Sequence, residues 1–148
     1  MNKKTLQNGF TLIELIIVMV ILGIMAAVAV PRYLDSIENA EASAEDAVIS
    51  SIRAGLKQAA NNSLITGGRT TWPSNPFDAL AEKPAGHTAD VTLADVDGEW
   101  TFVDEPEGAK ITHQRADNSR YTWDYNEGTQ DGDDAVVGSL GSRVQVAP

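Results

Sequence analysis

Two periodicities divide the chain. Residues 15–30 are apolar throughout apart from Gly23, so a helix built from them has no polar face. From Pro31 onward apolar residues recur at Leu34, Ile37, Ala40, Ala44, Val48, Ile52, Leu56 and Ala59, in steps of three and four that trace one helical stripe. Asp35, Glu38, Glu41, Glu45, Asp46, Arg53 and Lys57 fall mostly on the other faces. Asn61-Asn62 and Gly67-Gly68 supply a stop. The pattern predicts one helix over residues 10 to about 62, roughly 80 Å long at 1.5 Å per residue. Residues 63–88, rich in Gly and Pro, read as a connecting loop that Trp72 and Phe77 tack onto the domain.

From residue 89 the period becomes two. Val91 and Leu93, Trp100 and Phe102, Ile111 and His113, and Tyr121, Trp123 and Tyr125 alternate with polar neighbours, and turn residues separate the runs. We expect an antiparallel meander of three or four strands over residues 89–126, with its aromatic face on the amphipathic part of the helix. Residues 127–148 read as a C-terminal loop, with Val144-Gln145-Val146 as a short edge strand. A helix on one side of an antiparallel sheet is an α+β arrangement.

One carboxylate, Glu14, stands near the start of the apolar segment, and Lys3 and Lys4 precede it. A charge in a membrane span costs a few kcal/mol, so it needs a partner or a purpose. A secretory signal with cleavage after Ala27-Val28-Ala29 fits poorly, because the apolar region from Phe10 to Val30 spans 21 residues, longer than the usual h-region, and Glu14 is misplaced within one. A plain transmembrane anchor fits the length, with Lys3 and Lys4 holding the leader in the cytoplasm.

Composition narrows the function. Loss of Lys3 and Lys4 with a leader takes the formal charge from −10 to −12, which disfavours nucleic acid. With no cysteine, packing or a metal must hold an exported domain together. The acidic residues 127–134 offer calcium candidates in Asp131, Asp133 and Asp134, yet lack the later Glu of the EF-hand template, so a solvated turn is favoured. His87 and His113 are the two histidines, and no nucleophile elbow or phosphate loop accompanies them, so an enzyme is not expected.

The string Gly9-Phe10-Thr11-Leu12-Ile13-Glu14, between a basic leader and a long apolar tail, resembles the class III leader of type IV pilins and type II secretion pseudopilins. The resemblance is close over residues 1–37. It implies the pilin fold, with leader 1–9, a filament-core helix 10–33 whose apolar half protrudes, and a head 34–148. It also implies cleavage after Gly9 by a prepilin peptidase and N-methylation of Phe10. In an assembled filament, Glu14 of one subunit would pair with the Phe10 amine of its neighbour. Gly23 and Pro31 would mark where the core helix melts on assembly. The implied partners are copies of itself and related pilins, the inner membrane before assembly, and an assembly platform driven by a cytoplasmic ATPase. The destination would be an extracellular pilus or a periplasmic pseudopilus. The missing cysteines depart from many type IV pilins, in which a disulfide pins the C-terminal loop. The reading from another class is a membrane-anchored binding domain that never polymerises.

Overall fold

The computed structural model describes residues 9–106, 108–129 and 136–146, with Val136 and Val137 described by their backbone alone. The chain divides into two units, residues 1–43 and 44–148, and helix α1 (Leu12–Gly67) contributes to both. In the first unit every described residue up to position 40 is exposed, including the whole apolar run.

The second unit is an α+β domain. Its helical part runs to Gly67, five residues past Asn62, and buries Glu45, Ile49, Ile52 and Leu56. The buried stripe is therefore turned slightly from the expected one: Ile49 is buried beside Val48, which packs half-buried against the core, and Ala44 is exposed. Five strands follow among the described residues: β1 (Trp100–Glu105), β2 (Gly108–Gln114), β3 (Arg120–Thr129), β4 (Val136–Leu140) and β5 (Val144–Val146). The first four form an antiparallel sheet in chain order, and β5 pairs with the other half of the β3 edge that β4 uses.

Pairing places Trp100 opposite His113, Phe102 opposite Ile111 and Ile111 opposite Trp123, so the period-two aromatics gather on one face. That face and the helix enclose Ile49, Ile52, Leu56, Phe77, Trp100, Ile111, Trp123 and Tyr125. Burial of each large apolar side chain contributes about 1.5–3 kcal/mol, which is what drives the helix onto the sheet. Phe77 enters from a short 3₁₀ helix (Pro76–Ala79), where the Asn75 side chain accepts the Phe77 N–H at 2.9 Å.

The opposite face corrects one expectation. Val91 and Leu93 lie in no strand; their segment crosses that face as irregular chain. Side chains satisfy its backbone in place of a ladder. The Thr101 hydroxyl donates to Thr92 O, Thr112 Oγ1 accepts from Ala94 N, and Arg120 Nε donates to Ala94 O, all within 2.8 Å. Because the Thr101 proton is engaged, the 2.7 Å bond between the two threonine hydroxyls must be donated by Thr112. Alternation alone cannot separate this arrangement from a strand.

The expected C-terminal loop also holds more structure than its composition suggests. β3 continues to Thr129 and β4 follows, with Gly138 at its centre. A Cβ at Gly138 would lie 2.5 Å from the Trp72 indole, which itself stacks on Tyr125 at 6.0 Å. The glycine that makes this stretch read as loop is the one that admits Trp72. Gly55 does the same for α1, since a Cβ there would collide with the Ala79 carbonyl. Gly55→Ala is therefore expected to destabilise the head by about 1–3 kcal/mol through overpacking. Alanine's helix preference, about 1 kcal/mol, offsets only part of this. A thermal melt of the full chain in detergent checks it; an unchanged or raised Tm would mean that the 3₁₀ turn simply shifts away.

Candidate functional site

The N-terminal segment carries the first constellation. Gly9 and Phe10 precede the helix and are exposed, Phe10 at 90 %. Thr11 stands immediately before Leu12, and Glu14 lies in the first turn. Glu14 Oε2 accepts the Thr11 N–H at 2.8 Å and the Thr11 hydroxyl at 2.7 Å, while Thr11 Oγ1 lies 3.3 Å from the Glu14 N–H. This is a capping box, in which Thr and Glu three residues apart satisfy each other's free backbone donors. The sequence Thr-x-x-Glu already spells it, but the reading of Glu14 as a charge in need of an outside partner hid the local role. Glu14 Oε1 takes no hydrogen bond among the described residues.

Beyond this cap the helix runs unbroken through Gly23 and Pro31. It is the one described helix long and apolar enough to cross a membrane. The apolar side chains of its residues 12–30 are bare on all sides, which is the condition of a surface meant for lipid or for other helices.

The second constellation lies within the head. Glu45, read from the sequence as a residue of the polar faces, is 1 % exposed. Arg115 approaches it with two parallel bonds, Nε to Oε1 at 2.6 Å and Nη2 to Oε2 at 2.7 Å. His113 Nδ1 lies 3.0 Å from Oε1, and Arg143 Nη1 donates to Oε2 at 2.9 Å. Burial raises the carboxyl's pKa, but hydrogen bonds from Arg115, His113 and Arg143, with the charge of Arg115, outweigh it and hold Glu45 at about 2. The Tyr121 ring completes the cluster, with the Arg115 guanidinium carbon 4.0 Å and that of Arg143 5.7 Å from its centroid.

Parity of two could have located this cluster. Residues 109, 111 and 113 of β2 and 121, 123 and 125 of β3 face the helix, and the same parity continues to Arg115. Gln145 opposite Tyr121 carries it onto β5 and back to Arg143. Two arginines on the core-facing parity require a carboxylate, and Glu45 lies one turn before Ile49. The calcium candidates Asp131, Asp133 and Asp134 lie outside the described residues. His87 packs edge-on against Phe77, with 4.4 Å between ring centroids.

An exposed, capped apolar helix followed by a head with an antiparallel sheet is a pilin-like α+β architecture. Residues 4–30 match the prokaryotic N-terminal methylation motif. The chain is 38 % identical over 113 residues to a fimbrial protein of Dichelobacter nodosus, covering 73 % of this chain and 66 % of that one. It is 42 % identical over 81 residues to a type IV major pilin protein of Neisseria gonorrhoeae, covering 55 % of this chain and 46 % of the relative. A fimbrial protein of Neisseria meningitidis serogroup B is 34 % identical over 116 residues, 78 % of this chain and 59 % of its own. The chain thus spans about half to two thirds of the length of these relatives. No solved structure matches it. This chain belongs to the type IV pilin family.

Proposed function

We propose that the protein is a non-enzymatic structural subunit of a type IV pilus-like filament, assembled through its N-terminal helix. The observation that carries this reading is the bare apolar surface of residues 15–30, with Glu14 as the one charged residue ahead of it in the helix. Such a surface is stable in lipid before assembly and in a bundle of its own kind afterwards. In this reading the precursor crosses the inner membrane once. A prepilin peptidase removes residues 1–9, and Phe10 becomes the methylated amino terminus. An assembly platform with its own ATPase supplies the work of extrusion.

Within the filament, Glu14 pairs with the Phe10 amine of a neighbour. The free Oε1 supports this, because the capping box occupies Oε2 alone. Each charge left alone in low dielectric is costly, so the pair selects axial register even where its net stabilisation is small. Residues 23–31 are helical in the single chain, and their extension would accompany assembly. Filament cryo-electron microscopy showing continuous helix through Ala26 and Ala27 would exclude that step.

The pilus is favoured over the secretion pseudopilus because the relatives named above are fimbrial and pilus proteins. The test is mass spectrometry of the N-terminal peptide from protein sheared off cells. A peptide beginning at methylated Phe10 is expected. One beginning at Met1 or Val30 would replace the filament reading with an anchored or secreted domain.

A further inference from the structure

The strands of the head differ in what holds them. β1, β2 and β3 carry the buried aromatic core, whereas β5 buries almost nothing: Val144 and Gln145 are exposed and Val146 is half-buried. β5 meets the sheet through three residue pairs at the edge of β3, Arg120 with Val146, Tyr121 with Gln145 and Thr122 with Val144. An edge pairing this short with so little apolar burial has small stability of its own.

Polar links just before β5 supply the rest. Arg143 reaches Glu45 at 2.9 Å and lies 3.8 Å from Asp46, and its guanidinium flanks the Tyr121 ring. Arg53 Nη2 donates to Gly141 O at 2.8 Å, and Gly141 N donates to Asp124 O at 2.8 Å. Glu45 is the pivot. Its Oε1 is committed to Arg115 and His113, which belong to β2 and its continuation, while Oε2 is shared between Arg115 and Arg143. Removing Arg143 therefore leaves the carboxylate still satisfied from β2, with the core side of the cluster intact.

We infer that residues 141–146 form a strap, latched to α1 through Arg143 on Glu45 and Arg53 on Gly141, that lifts from the head as a unit while β1 to β3 stay folded. Lifting bares the β3 edge at Arg120, Tyr121 and Thr122, which is the edge a strand from a second copy would need in order to pair. The latch thus decides whether that edge is open. This does not depend on the filament reading, since every residue involved lies in the head.

Hydrogen–deuterium exchange on the full chain in detergent micelles tests the strap, with Arg143→Gln as the first variant. Exchange in peptides spanning 141–146 and 120–122 is expected to accelerate by about tenfold or more, with β1 and the first half of β2 unchanged. Arg53→Gln, which cuts the other tether, is expected to accelerate the same two segments to a lesser degree. Uniform acceleration through β1 to β3 in both variants would overturn the proposal, because the links would then be part of global stability. Unchanged exchange over 141–146 in both would overturn it equally, because β5 would then hold without its latch.

Discussion

Glu14→Ala is expected to abolish filament assembly while cleavage after Gly9 proceeds. The peptidase would act at Gly9 and Phe10, which are exposed and non-helical, whereas the hydrogen bonds of Glu14 go to Thr11. In the proposed filament, assembly would bury the new amine of Phe10, and without a carboxylate within reach that burial would cost about 3–5 kcal/mol per subunit. Since every 1.4 kcal/mol is a factor of ten, subunit addition would weaken by about a hundredfold to a few thousandfold at each step. The capping box complicates the alanine variant, because it also removes the acceptor for Thr11, worth about 0.5–2 kcal/mol of helix start. Glu14→Gln separates the two roles: glutamine completes a capping box as well as glutamate does, but carries no charge. Sheared-filament yield and N-terminal sequencing are the readouts. Normal filaments from Glu14→Gln would mean that the residue matters as a cap and that no ion pair forms.

The second large effect is expected at Glu45. Glu45→Ala takes from Arg115, 2 % exposed, the carboxylate that it meets with two parallel bonds. Breaking a buried pair from one side costs about 3–5 kcal/mol, a large share of the 5–15 kcal/mol that stabilises a domain. Chemical denaturation of the full chain in detergent, followed by tryptophan fluorescence, should show the midpoint falling accordingly. Trp100 and Trp123 lie stacked 5.5 Å apart in this core and report on it directly. A loss below about 1 kcal/mol would mean that water or a shifted Arg115 relieves the charge. The same cluster sets an acid limit. Its folded value of about 2 lies below the ordinary 4.5, so the contribution is complete above pH 4.5 and is lost as pH falls toward 2. The difference corresponds to about 3 kcal/mol. Glu99 and Asp117 add in the same direction, held low by hydrogen bonds from Thr88 and Ser119 respectively. Glu45→Gln should flatten the pH dependence between 4.5 and 2, measured as the denaturation midpoint at each pH.

What could be read from the sequence follows from which forces leave a periodic trace. Apolar side chains must face the core, so the helix stripe at Ile52 and Leu56 and the alternation at Trp123 and Tyr125 were legible. The N-terminal methylation motif of residues 4–30 was legible too, as a compact local string. Strand β4 was not, because Gly138 serves Trp72, a partner 66 positions away in the chain. Val91 and Leu93 alternate like a strand, but the partners that fix their segment are Thr101, Thr112, Glu99 and Arg120, and nothing local announces them. Glu45 was hidden for the opposite reason. A charged residue on a helix is usually solvated, and only the joint parity of Arg115 and Arg143 shows that this one is not.

The latch at Glu45 also bears on where the head can fold. A head closed by carboxylate and guanidinium needs no oxidant to finish it, no isomerase to correct it, and no particular thiol poise to keep it shut. Reductant leaves such a closure untouched, whereas acid opens it. This closure is therefore sensitive to proton concentration and indifferent to redox state.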